Sequence, residues 1–420
     1  MNILIVANFT RDFSATDNGR FLYLAKKLAV NNKVEIVTTE FSHGAKAKKK
    51  PITIEYPFKI TMLGEPGYKK NVSLRRFYSH HVWGNNLKKY LQTIEKPDVV
   101  YCAVPSLTGP NNVAEYCKEN GIRFVIDIQD LWPEAFQMVF KVPVVSTVAF
   151  LPFNKLADSI YSNADSICAV SNTYVNRALR VNKKCKEGTT VFLGTNLDTF
   201  DEYANEEPIM RKPEGEVWIA YCGTLGSSYD MTCVFDALEI LTDKNIRPTF
   251  IVMGDGPRRQ EFEQYATERD IDVKFTGSLP YNQMCALLCQ CDITVNPIMH
   301  NAAQSIINKH GDYASSGLPV VSTQENEEYR ALVEEYNMGF NCKNNDAADL
   351  AEKFERLIID KNLREQMGAN ARRCAEEKFD RKNSYVALIS EILGGGTDHL
   401  HNYIVLFTFK CESSRMEAVA

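Results

Sequence analysis

Apolar runs of five to seven residues alternate along this chain with longer amphipathic stretches. NILIVAN (2–8) comes first, then a loop, then a helical pattern from Arg20 to Asn31. VEIVTT, DVVYCAV, RFVIDI and SICAVS follow, mostly separated by helical segments. A strand that is apolar at successive positions is covered on both faces, so these runs predict a parallel sheet between layers of helix. The rhythm breaks after TNLDTF (195–200), where the polar stretch DEYANEEPIMRKPEGE, with two prolines, reads as a linker. It restarts with VWIAYCG, PTFIVMG, VKFTG, DITVNPI and LPVVST. The expected fold class is therefore α/β, with two doubly wound Rossmann-like domains. The pattern divides the chain into a domain over 1–200, a linker over 201–215 and a domain over 216–380. Ala347 to Leu393 is helical in pattern, and three successive glycines then break the helix, so 394–420 reads as a tail outside the core.

Length supports two domains, since 420 residues exceed one ordinary core. The balance of 45% apolar and 24% charged residues is that of a globular chain. A net charge of -5 argues against general nucleic-acid binding. That average hides a basic segment, 41–96, with twelve Lys and Arg against three acids. Such a segment suits an anionic membrane surface, and the apolar stretch Val142–Phe153 would add a shallow anchor. The plainer reading of Val142–Phe153 is a buried helix. No run reaches the roughly 20 apolar residues of a spanning helix. The twelve cysteines are scattered, many inside apolar runs, as buried thiols are. The expected location is cytoplasmic, with peripheral contact at the inner face of the plasma membrane as a further expectation.

Ligands of doubly wound sheets sit at the carboxyl ends of strands, so the loops there carry the candidate chemistry. Cys222-Gly223-Thr224-Leu225-Gly226-Ser227-Ser228 ends one strand, with a helix expected near Asp230. Met253-Gly254-Asp255-Gly256-Pro257-Arg258-Arg259 ends the next. Glycines let backbone approach a ligand, and helix starts attract phosphate. Pro257 suits a first helical turn. Ser305 through Val321 holds Lys309 and Asp312 three apart, hence on one helix face. An ammonium there would meet phosphate oxygens, and a carboxylate would accept from vicinal hydroxyls. A surface ion pair is the alternative.

Taken in order, these segments resemble the retaining glycosyltransferases of family 4, which have the GT-B fold, and among them the bacterial capsule and O-antigen transferases. The resemblance spans roughly 1–393. It rests on the Gly19 loop, Asp130-Leu131-Trp132-Pro133-Glu134, Gly223-Thr224-Leu225-Gly226, Gly254-Asp255-Gly256-Pro257, Phe275-Thr276-Gly277 and Lys309 through Pro319. It implies two domains facing across a cleft, with helix 381–393 returning to the first. Donor binding falls to Gly19, Gly223, Thr224, Leu225, Gly226, Gly254, Gly256, Arg258, Gly277, Lys309 and Asp312, with Lys309 at the diphosphate and Asp312 at the ribose. Catalytic roles fall to Asp130, Glu134 and Gln304. Asp312 and Gln304 stand where relatives carry acids, Asp312 being a methylene shorter than glutamate. No cofactor or metal is implied; the co-substrate is a nucleotide-sugar, with UDP-sugar the first expectation. The acceptor is a glycan or a lipid-linked sugar. Two other readings stay open: a sugar-nucleotide epimerase of the same architecture, and a non-catalytic nucleotide-sugar-binding subunit.

Some motifs point elsewhere. Asp270-Ile271-Asp272 matches a metal-binding D-x-D but precedes a strand, so it reads as a turn. Cys285, Cys289 and Cys291, with His300 downstream, read as buried thiols before they read as a zinc site. His80-His81 reads as a solvated helix face.

Overall fold

A computed structural model describes residues 1–14, 19–71, 73–139, 143–300, 302 and 306–395, with backbone alone at 137–139 and 143–149. Contacts divide the chain into two units, one built from 1–15, 19–191 and the segment after 385, the other chiefly from 192–384.

The first unit runs β1 (Asn2–Val6), α1 (Arg20–Leu28), β2 (Lys33–Thr39), the short pair β3 (Phe41–Ser42) and β4 (Ala47–Lys48), β5 (Lys59–Leu63), α2 (Leu74–Leu91), β6 (Val99–Val104), α3 (Thr108–Asn120), β7 (Arg123–Ile128), α4 (Glu134–Val139), α5 (Pro143–Asn163), β8 (Ser166–Ala169), α6 (Asn172–Leu179) and β9 (Thr189–Thr190). Its sheet has the order β5-β2-β1-β6-β7-β8-β9, all parallel. All six residues of β6 are buried, as a central strand covered on both faces requires.

The second unit continues with α7 (Leu197–Ala204), β10 (Trp218–Cys222), α8 (Met231–Asp243), β11 (Thr249–Met253), α9 (Arg259–Thr267), β12 (Val273–Gly277), α10 (Tyr281–Leu288), β13 (Ile293–Asn296), α11 (Asn308–Ser315), β14 (Val320–Ser322), α12 (Glu327–Tyr336), β15 (Gly339–Asn341), α13 (Ala347–Ile359), α14 (Lys361–Cys374), a π-turn over Ala375–Phe379, and α15 (Arg381–Leu393). Its parallel sheet is ordered β12-β11-β10-β13-β14-β15. Alternate residues of β10 enter opposite cores: Trp218, Ala220 and Cys222 on one face, Ile219 and Tyr221 on the other.

The pattern missed β5 and β15, and also the two-residue strands β3, β4 and β9. Strand β5 is an edge strand of partly exposed residues, and β15 is three residues long. The boundary between units falls at 191/192, and 192–200 belong to the second unit, where α7 packs on α10. Polar composition marked 201–215 as a linker, yet its first residues finish α7, whose buried Leu197 and Phe200 anchor it. Pro257 precedes α9 and does not stand in its first turn.

From Tyr385 onward α15 is part of the first unit, placing Tyr385, Leu388 and Ile392 in its core. A buried ion pair sits beside it. Arg20 Nε lies 2.9 Å from Asp127 Oδ2, and Arg20 Nη1 donates to Val191 O and to the Tyr385 hydroxyl, each at 3.2 Å. The tail expected from 394 lies outside the described residues beyond 395.

Candidate active site

In the second unit, β10 and β11 end side by side and their loops are joined by backbone. Gly223 N donates to Met253 O at 3.0 Å, Leu225 N to Asp255 O at 2.9 Å and Arg258 N to Leu225 O at 3.1 Å. This contact is why glycine stands at 254 and 256. A Cβ on Gly254 would lie 1.8 Å from Gly223 O, and one on Gly256 2.3 Å from Leu225 O. The two loops expected to approach a ligand therefore approach each other first. Gly226 differs, because a Cβ there would meet nothing nearer than Thr224 Cγ2 at 3.8 Å. Thr224 is exposed, Leu225 is a core residue, and Gly277 has φ 77° at the end of β12, next to Gly254. Asp230 caps α8 by accepting from Cys233 N.

Helix α11 carries Lys309 into this loop cluster. The Tyr313 hydroxyl accepts from Cys222 N at 2.8 Å, tying α11 to the end of β10. His310 is buried, with Nε2 2.8 Å from Gln324 Oε1 and 3.2 Å from Asn296 Nδ2, which fixes the helix start. Lys309 is only 7% exposed, and its Nζ has no hydrogen-bond partner among the described residues. The ammonium instead faces two aromatic rings, Tyr229 at 4.0 Å and Tyr221 at 4.9 Å. Rings recover part of the cost of desolvating a cation, but not what a carboxylate would. Burial accordingly lowers the Lys309 ammonium to about 7.

Asp312 lies one turn on and is half-buried. Its Oδ1 accepts from the Thr195 hydroxyl at 2.9 Å and from the Tyr281 hydroxyl at 2.8 Å. A Cβ at Gly311 would stand 2.9 Å from Thr195 Oγ1, so the glycine makes room for that contact. Arg258 donates from Nε to Glu261 Oε2 at 2.8 Å and lies over the Phe262 ring. Arg259 is paired with Glu263 at 2.7 Å. The guanidiniums thus already face acids, whereas Lys309 faces none within 4.0 Å among the described residues. Gln304 lies outside the described residues.

In the first unit, Gly19 is the N-cap of α1, with extended backbone (φ -78°), and its carbonyl accepts from Tyr23 N. Asn18 lies outside the described residues. Asp130 follows β7 and accepts at Oδ2 from the Trp132 indole at 3.0 Å. Burial raises its carboxyl to about 6, against the lowering effect of that bond and of Arg76. Glu134, in the first turn of α4, is paired with Arg177, which also reaches Asp158 at 2.8 Å. Both carboxylates are therefore held by groups of their own unit.

Sequence reasoning missed Arg76 and His80. His80 is 3% exposed, and only His81 lies on the outer face, beside Asn85. The two belong to one face of α2, four residues apart. Both press on Trp132: the Arg76 guanidinium at 4.4 Å from a ring centre, the His80 imidazole stacked at 5.6 Å. The signal was i, i+4 spacing within α2, obscured by its neighbouring charges. Other cations of the basic segment meet acids outside it, such as Lys48 with Glu40 and Lys88 with Glu115.

Asp270 is exposed in a turn with φ 52°. Cys285 and Cys291 are buried and unbridged. Among the described residues no three His, Cys, Asp or Glu gather as a metal site, and no helix is long and apolar enough to cross a membrane. In α5, Phe150 is buried while Leu151 is 48% exposed; Val142 and the side chains of 143–149 lie outside the described residues.

Two parallel α/β units with their loops at the strand ends, and a last helix entering the first unit, define the GT-B fold. Residues 203–374 match the family model described as glycosyl transferases group 1. The sequence is 21% identical over 245 residues to the "Probable glycosyltransferase WbjE" of Pseudomonas aeruginosa, covering 56% of this chain and 60% of that protein. The alignments thus span less than two thirds of the curated relatives' length, 60%, 57% and 36% for three of them. Sucrose-phosphate synthase from Thermosynechococcus elongatus superposes with TM-score 0.69 at 16% identity, over 97% of this chain and 99% of that one. Anabaena Alr3699/HepE, solved in complex with UDP-glucose, superposes with TM-score 0.64 at 16% identity, over 94% of this chain and 100% of that one.

Proposed function

We propose that this protein is a glycosyltransferase that moves a sugar from a nucleotide-diphosphate sugar to a glycan or lipid-linked acceptor in surface polysaccharide synthesis, with retention and without a metal ion. The observation that carries the reading is Lys309, a buried ammonium without a counter-ion among the described residues, carried by α11 to the end of β10 and the loop that follows it. A cation kept out of water and away from carboxylates is suited to an anion that arrives with a ligand. A diphosphate fits beside Gly226, where backbone is uncrowded. Supporting it, residues 203–374, which match the group 1 family model, contain this whole cluster, and a protein of the same fold has been solved with UDP-glucose.

The chemistry asked of Lys309 is charge stabilisation. The bond from the sugar's anomeric carbon to the diphosphate breaks, and the ammonium meets the charge that develops on the leaving oxygen. The acceptor hydroxyl bonds to the same carbon on the same face, and its proton passes to the departing diphosphate. Asp312, held by Thr195 and Tyr281, is assigned to the ribose end of the donor. Asp130 and Glu134 are assigned to orienting hydroxyls. The basic segment and Val142–Phe153 are assigned to peripheral membrane contact, which flotation with anionic liposomes at low salt tests; absence of binding removes it.

A thermal-shift panel of UDP-, GDP-, dTDP- and ADP-sugars tests the donor site. One nucleotide class should stabilise the parent, and Lys309→Ala and Asp312→Ala should both weaken that shift. Equal shifts in all three proteins would overturn the placement. Products formed from the donor alone, without acceptor, would instead favour an epimerase.

A further inference from the structure

Besides Trp83 Nε1, Tyr161 Oη and Glu134 Oε2, four buried side chains of the first unit carry polar atoms without partners among the described residues: both side-chain atoms of Asn8, Arg76 Nε, both ring nitrogens of His80, and Ser106 Oγ. They are 2%, 9%, 3% and 1% exposed. Native interiors rarely leave such groups unpaired, because each costs about 1–3 kcal/mol. Their placement has a pattern. Asn8 and Ser106 follow the carboxyl ends of the neighbouring strands β1 and β6, and Trp132 follows the end of the next strand, β7. Phe9 joins the two sides, its ring 5.3 Å from the His80 ring and 5.5 Å from the Arg76 guanidinium.

The rim of this cluster is half-exposed, formed by Phe9, His43, Lys46 and Asp130. Lys46 Nζ lies over Tyr68 at 5.0 Å, adding a second cation. The carboxylates that act on Arg76 are already engaged, Asp130 by the Trp132 indole and Glu65 by the Ser79 hydroxyl. Burial and the Arg76 and Lys46 charges hold both histidines neutral, His43 at about 3 and His80 at about 2. A neutral imidazole still donates one N–H. Each of the four unpartnered groups can therefore donate. What is missing is negative charge and several acceptor oxygens at once. A carboxylate offers two oxygens in one plane; donors from an α2 face and two strand ends suit a tetrahedral group better.

We propose that this strand-end cluster binds a phosphoryl group carried by the acceptor, with Arg76 as its charge partner and His80, Asn8 and Ser106 as neutral donors. The site itself stands on the first unit alone; assigning it to the acceptor rests on the transferase reading above. The acceptor class is then a sugar phosphate, soluble or lipid-linked.

Calorimetric titration with glucose 1-phosphate tests this on the full chain, in the parent and in Lys309→Gln, Arg76→Gln and His80→Phe. Binding should survive Lys309→Gln within about twofold, weaken at least ~tenfold in Arg76→Gln, and weaken several-fold in His80→Phe. His80→Phe keeps the test decisive if Arg76→Gln does not fold. Phosphatidylcholine vesicles containing phosphatidic acid separate the sources. Vesicle binding that glucose 1-phosphate competes away places lipid phosphate in the same site. Vesicle binding without competition would assign the lipid contact to the basic segment and leave the soluble sugar phosphate as the acceptor. Two results would overturn the proposal: no glucose 1-phosphate binding to the parent, or binding abolished by Lys309→Gln but unchanged in the other two variants. If glucose 1-phosphate binds through Arg76 while no nucleotide-sugar shifts the parent, the site stands and the transferase reading fails.

Discussion

Lys309 sets two opposing demands on one side chain. Its ammonium is lowered to about 7 by burial, against 10.5 for the free group. Because the unfolded chain holds that proton more tightly, the group destabilises the ligand-free protein at low pH. That penalty is fully present below about pH 7 and is relieved as pH rises toward the unfolded value. Urea unfolding of parent and Lys309→Met should therefore diverge most at pH 6, with the variant more stable, and converge by pH 10. Donor binding has the opposite requirement, since a diphosphate needs the protonated form. Nucleotide-sugar affinity should fall about tenfold per pH unit above 7, and Lys309→Met should bind weakly without that slope. Calorimetry across pH measures it, and a flat profile in the parent contradicts the assignment. Asp312→Ala should cost about 1–3 kcal/mol in urea unfolding, since it leaves the Thr195 and Tyr281 hydroxyls without their shared acceptor.

The elements that form the site are short loops between long regular pieces, and the loops owe their shape to backbone contact. Gly254→Ala forces a Cβ against Gly223 O, which should destabilise the second unit by about 1–3 kcal/mol. Gly226→Ala meets only an ordinary contact with Thr224 Cγ2 and should leave unfolding nearly unchanged while weakening donor binding. Denaturant midpoints beside thermal shifts separate the two effects. The glycines at 223, 226, 254, 256 and 277 were legible in the sequence as strand-end loops, but their reasons were not. A one-dimensional pattern shows a glycine and not whether a ligand or a neighbouring carbonyl requires it. Similarly, spacing placed Lys309 and Asp312 on one turn of α11. It did not reveal that one faces rings and the other two hydroxyls, because those partners come from residues 221, 229, 195 and 281.

At the scale of the molecule, each unit closes its own core. Continuous apolar runs announced most strands of both sheets, since two covered faces leave little room for polar residues. Strands β5, β9 and β15 escaped because a partly exposed edge strand and strands of two or three residues carry little of that signal. The basic stretch 41–96 concealed Arg76 and His80, because charge density alone cannot distinguish a solvated lysine from a buried guanidinium. Helix α15 closes the core of the first unit through Tyr385, Leu388 and Ile392. Leu388→Ala should cost about 2–5 kcal/mol. Hydrogen exchange should show that loss in β1, β6 and β7, with the strands of the second unit unaffected. Loss spread equally over both units would mean they unfold as one.

The claim that a donor diphosphate is met by Lys309 is tested most directly by titrating the best nucleotide-sugar into parent and Lys309→Gln in two buffers of different ionisation enthalpy at pH 8. The parent should take up a proton on binding, with the buffer-dependent heat that uptake brings, and the variant should bind weakly without it. Equal affinity and equal, buffer-independent heats in the two proteins would contradict it.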